Sequence, residues 1–141
     1  MLWTVAPNLQ TGVSVVLDLR YARVWLVMGW LLVVGVTIAS LVPVHSLPPV
    51  DVSDKFEHTL AYAALTLWFA GIYPRSRYLR VVMGLFVLGV AIEFAQGAMN
   101  LGRQRDYHDV IANSSGIALG VVVAFMGLDR WARWLEDWAR K

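Results

Sequence analysis

Cysteine is absent from the 141 residues, which excludes disulfides, thiolate metal ligands and a cysteine nucleophile. Charge is scarce as well. Asp, Glu, Lys and Arg make up 16% of the chain against 58% apolar residues, and the mean hydropathy of +0.57 lies well above that of an ordinary water-soluble domain. The net charge of +2 is too small and too scattered for nucleic acid to be a partner. Neither H-E-x-x-H nor G-x-S-x-G occurs, so no recognised protease or hydrolase signature announces a reaction. The length allows a single domain over 1–141.

What is present is apolar sequence in long runs. Four of them, about 24–42, 56–73, 79–99 and 110–128, come near the roughly 20 residues that cross about 30 Å of hydrocarbon. Short links favour antiparallel neighbours, so the expected architecture is all-α: a polytopic membrane protein built as a compact four-transmembrane-helix bundle. Three of the five prolines fall in residues 40–49, which should end the first span and shape a surface loop. The opening "MLWTVAPNLQTGVSVV" has no basic n-region and no clear cleavage site, and reads as a retained tail rather than a secretory signal.

Basic residues set the expected orientation. Arg20, Arg23, Arg75, Arg77, Arg80, Arg130, Arg133, Arg140 and Lys141 share one side, and only Lys55, Arg103 and Arg105 lie on the other. The positive-inside rule then places both termini in the cytoplasm. In 129–141, Trp131, Trp134, Leu135 and Trp138 recur at helical spacing among arginines, the pattern of an amphipathic helix lying in the inner interface.

Polar residues inside spans cost roughly 2.5–3.5 kcal/mol each on insertion scales, so they face one another or a wet cavity. Here they gather at one end. In "SDKFEHTLAYAAL", Ser53 or Asp54 suits an N-cap, with Asp54 and Glu57 at capping-box spacing, and Asp54, His58 and Tyr62 run down one helix face. In "EFAQ", Glu93 and Gln96 share a face, with Glu93 about 21 Å from the inner edge counted from Leu79. A carboxyl at that depth is protonated or paired, with Gln96, His58 or an arginine as its natural partner. In the fourth run Asp109, Asn113, Gly116 and Gly120 form one stripe, polar above and small below. The two glycines would let another helix approach closely and carry Asp109 and Asn113 toward the other polar faces. Asp106 would cap this helix or join the cluster. His45 and His108 read as loop histidines.

The ordered set "DKFEHTLAYAAL", "EFAQ" and "GRQRDYHDVIANSSGIALG", over about residues 51–125, resembles the VanZ-like family of small bacterial membrane proteins. The family pattern falls on Asp54, Lys55, His58, Tyr62, Glu93, Gln96, Arg103, Asp106, Asp109, Asn113 and Gly116; one departure is Leu101, where the pattern has a proline. The resemblance implies a place in the bacterial cytoplasmic (inner) membrane and a link to the cell envelope and to glycopeptide (teicoplanin) resistance, without a defined reaction.

Three readings follow. The first is an outward-facing site that binds or processes a lipid-linked or glycopeptide envelope molecule, using Asp54, Lys55, His58, Tyr62, Glu93, Gln96, Arg103, Asp106, Asp109 and Asn113. The second is a metal-assisted hydrolase or transferase on an envelope lipid. Asp54, His58, Glu93 and Asp109 offer suitable N and O ligands, and His58, Glu93 and Asp109 are the catalytic candidates. No cofactor is specified by any motif. The third reading is helix adhesion alone, which at about 0.6 kcal/mol per polar coupling is weak against the insertion penalty. Six acids face three bases on the outer side, a formal balance of −3. Hydroxyl-rich sugars or a cationic group therefore fit more easily than bare phosphate, although Arg103 and Arg105 offer a basic rim.

Overall fold

A proline-free apolar run forms the first helix, α1 (Ala22–Leu41), in the computed structural model, which describes residues 16–42, 53–99 and 106–141. It is followed by α2 (Asp54–Ala70), α3 (Tyr78–Met99), α4 (Tyr107–Phe125) and a short α5 (Trp131–Trp138), with single 3-10 turns at Arg75–Arg77 and Leu128–Arg130. All regular elements among the described residues are helices.

Three segments are long and apolar enough to cross a bilayer: Ala22–Leu41, Arg75–Met99 and Tyr107–Phe125. The sequence suggested four. The segment that falls short is α2, with 17 residues and a polar first turn. Its position explains its composition. It packs most extensively against α4 and also touches α1 and α3, so its inner faces meet protein and need not be uniformly apolar. By contrast α1 is peripheral: only 11% of its apolar window is buried, against 39% for α4. Its exposed face carries Val27, Trp30, Leu31, Val34 and Ile38, side chains that an acyl-chain environment solvates.

Several helix limits differ from the sequence expectation, the fourth helix also ending at Phe125 rather than 128. The second helix stops at Ala70 rather than continuing to 73, because Gly71 begins a turn toward Pro74, which has no N–H to extend a helical ladder. The fourth begins at Tyr107 rather than 110, since Asp106 caps it: its side chain accepts a hydrogen bond from the His108 N–H. His108 therefore sits on the first helical turn and not in a loop. Ser53 occupies the N-cap position of α2, but makes no side-chain capping bond; its carbonyl accepts from the Phe56 and Glu57 N–H groups.

The α2–α4 contact follows from two glycines. A Cβ on Gly116 would collide with the Thr59 carbonyl, and one on Gly120 would lie 2.8 Å from the Ala63 carbonyl oxygen and 2.6 Å from Thr66 Cβ. Thr59 Oγ1 donates across this seam to the Ala112 carbonyl at 3.2 Å. Below it, Val33, Tyr62, Leu65, Phe69, Ile72, Leu85 and Ile117 form the main apolar core.

At the end of the bundle holding the N-terminus of α1, Gly127 takes a left-handed φ of 115°, which turns the chain from α4 toward α5. The amphipathic stripe expected in α5 is divided. Trp134, Leu135 and Trp138 are exposed, while Trp131 turns inward, its ring centroid 4.7 Å from Trp68 and 5.3 Å from Trp25, and donates to the Leu67 carbonyl. Gly71 makes room, since any side chain there would overlap the Trp131 indole. On the same inward side, Glu136 accepts hydrogen bonds from Arg20 N, Tyr21 N and Trp25 Nε1 at 2.8, 2.9 and 2.8 Å, closing the N-terminus of α1. Burial alone would raise the Glu136 carboxyl, but the Tyr21 N–H, the Trp25 indole and the Arg20 N–H outweigh it and hold the pKa below the ordinary 4.5.

Candidate functional site

Antiparallel packing brings the first turns of α2 and α4 to the same end as the last turns of α3, and the polar residues of all three meet there. His58, Glu93, Gln96, Asp109 and Asn113 are buried polar or charged residues, and Tyr62 is only 1% exposed. Asp54 and Lys55 stand at the rim. Arg103 lies outside the described residues, as do Arg105 and His45.

The centre of the site is a pair between α2 and α4. His58 Nδ1 lies 3.0 Å from Asn113 Oδ1. An amide oxygen only accepts, so Nδ1 carries the proton and, in the neutral ring, Nε2 keeps its lone pair. That second nitrogen lies 3.9 Å from Asp54 Oδ2, one turn earlier on α2. Asp54, His58 and Asp109 each bring one N or O ligand atom to within 4.8 Å of the others.

Lys55 forms the rim. Its Nζ lies 3.0 Å from Asp106 Oδ2 and 3.4 Å from Asp109 Oδ1. Asp106 also meets the His108 ring, whose Nδ1 is 2.6 Å from Oδ1. The His108 backbone N–H, then the Lys55 ammonium and the His108 ring, hold the Asp106 carboxyl below the usual carboxylate range. Asp106 is thus occupied in capping α4 and anchoring Lys55.

Glu93 faces this cluster rather than the lipid side of α3. Its Oε2 accepts from the Asp106 N–H at 3.3 Å, and its carboxyl lies in the electrostatic field of Asp109 and His58. Gln96, one of the three partners expected for Glu93 beside His58 and an arginine, instead donates from Nε2 to the Ser40 carbonyl of α1 at 2.8 Å. The structure therefore gives Gln96 a helix-joining contact, separate from the charged cluster.

Among the described residues, three buried side-chain atoms at this end have no hydrogen-bond partner: Tyr62 OH, Glu93 Oε1 and Asn113 Nδ2, one from each of three helices. Gly89, one turn before Glu93, allows α3 to close over two of them; a Cβ there would lie 3.0 Å from Asn113 Nδ2 and 3.2 Å from the Tyr62 oxygen. Sequence reasoning missed Gly89. The signal was its i, i+4 and i+7 relation to Glu93 and Gln96. Chemically, these atoms offer two donors and one carboxylate oxygen, with the His58 imidazole and the Asp109 carboxyl on the same cluster.

Comparison of the chain with protein-family models, with curated proteins and with solved structures finds no match.

Proposed function

We propose that this chain is a VanZ-like multi-pass protein of the bacterial inner membrane whose polar pocket opens to the extracytoplasmic leaflet and binds the headgroup of a cell-envelope molecule, lipid-linked or glycopeptide. The ordered motif set over about residues 51–125 supports the family, and the nine bases gathered at the opposite end support cytoplasmic termini. In this reading α2 is a fourth crossing helix, shielded by its neighbours, and α5 lies in the inner interface on Trp134, Leu135 and Trp138.

One observation carries the reading: Tyr62 OH, Glu93 Oε1 and Asn113 Nδ2 are buried without partners among the described residues. A polar cluster that served only to join helices would close its hydrogen bonds internally, because each open group costs about 1–3 kcal/mol. Two donors beside a carboxylate oxygen suit a hydroxyl-bearing group such as a sugar, which both donates and accepts.

Native mass spectrometry of gently purified protein tests this. Wild type should carry a bound lipid or glycolipid mass that is lost in Glu93→Gln at equal membrane protein level. An empty wild type, or equal retention in the variant, would reject the reading.

A further inference from the structure

We infer that Asp54, His58 and Asp109 form a binding site for one divalent cation of the Zn2+ or Mn2+ class at the polar end of the bundle. The donor set, one imidazole nitrogen and two carboxylates, is of the type these ions take, and the three ligand atoms lie within 4.8 Å of one another. Bonds near 2.1 Å in a tetrahedral site would place ligands about 3.4 Å apart, so the set must contract by roughly 1 Å. Asp54, at the first turn of α2 with a side chain 48% accessible, is the most exposed of the three.

Two further features point to a cation rather than to a self-contained acidic cluster. The first is the His58–Asn113 contact at 3.0 Å, which fixes the ring and directs the Nε2 lone pair toward Asp54; metal-bound histidines are oriented by this kind of outer hydrogen bond. The second is unspent buried polarity. Among the described residues, Glu93 Oε1, on a residue 4% exposed, has no hydrogen-bond partner, and the Glu93 carboxyl acts electrostatically on the same Asp109 and His58. A ligand-bearing or hydrated cation would bring O–H donors to such an acceptor. Among the described residues, the Lys55 ammonium meets two carboxylates of this end, Asp106 at 3.0 Å and Asp109 at 3.4 Å. Lys55 Nζ, 3.4 Å from Asp109 Oδ1, is the internal competitor for the cation, while its bond to Asp106 at 3.0 Å gives it a position to keep when the cation enters.

As an account of how an acidic pocket accepts an anionic or hydroxyl-rich headgroup, this inference rests on the proposed function. Its test does not. Full-length protein in detergent, stripped with a chelator, is titrated with Zn2+ by calorimetry and with Mn2+ by electron paramagnetic resonance. One ion per chain is expected. Asp109→Asn and His58→Gln should each abolish saturable binding, and Asn113→Leu, which leaves the ligands but frees the ring, should weaken it roughly 10- to 100-fold. Lys55→Met should tighten it, a gain that a misfolded variant could not produce. Absence of one-site binding in wild type, binding unchanged by Asp109→Asn, or weakening in Lys55→Met would each overturn the inference. Glu93→Gln should keep the ion while losing the envelope ligand. Metal binding without any envelope ligand in wild type would sink the proposed function and leave the cation site standing.

Discussion

The two ends of the bundle treat buried polar groups in opposite ways. At the basic end, Glu136 is met by three N–H donors, and Trp131 Nε1, Trp68 Nε1 and Tyr78 OH each reach a backbone carbonyl. Asp129 pairs with Arg75 at 2.6 Å, although its second oxygen is left open. At the acidic end, Tyr62, Glu93 and Asn113 each keep a buried atom with no partner among the described residues. One end closes all of these contacts except at Asp129 Oδ1 and builds the fold. The other leaves three of them open among the described residues, which is what the proposed ligand site requires.

Substitutions can break this contrast, beginning with the seam that supports both ends. Gly116→Leu drives a side chain into the Thr59 carbonyl and should cost about 3 kcal/mol or more, read as loss of folded protein by size exclusion in detergent. Glu136→Leu removes the acceptor of three donors and should lower stability by about 2–3 kcal/mol. Its signature is a lower melting temperature with cation binding at the far end preserved.

Smaller effects sharpen the contrast. Glu93→Gln replaces a buried carboxylate with a neutral isostere, so stability should hold or rise by about 1 kcal/mol while the envelope ligand is lost. A thermal melt alongside native mass spectrometry checks the two together. The smallest effect is the acid limb. Because the folded Glu136 carboxyl lies below its ordinary 4.5, its contribution is present in full above that value and is lost as pH falls through the folded value. Melting temperature against pH should therefore decline below about pH 4.5 in wild type, less steeply in Glu136→Gln. An identical decline in both would remove Glu136 from the account.

Much of the acidic end was legible because it obeys local spacing. Asp109, Asn113, Gly116 and Gly120 share a stripe at helical period, and the structure seats the two glycines on α2 and brings Asn113 to His58. Asp106 was readable as a cap for the same reason. The basic end was not. Glu136 and Tyr21 are 115 residues apart in sequence, and no pattern in either segment names the other. Trp131 fitted the lipid-facing stripe by period but turns inward onto Trp25 and Trp68, because the space left by Gly71 comes from the fold. Likewise Gln96 was one of three candidate partners for Glu93, yet the approach of α1 gave it the Ser40 carbonyl.

The sequence by itself determined that long helices form and that their polar residues cluster at one end, since apolar run length and the 3.6-residue period are local properties that act before any tertiary contact exists. Only the tertiary structure decided which of those polar groups are satisfied. Hydrogen-bond partnership depends on distances of a few ångströms between segments far apart in the chain, and these are set by how closely α2 and α4 approach, where α1 lies, and how α5 folds back.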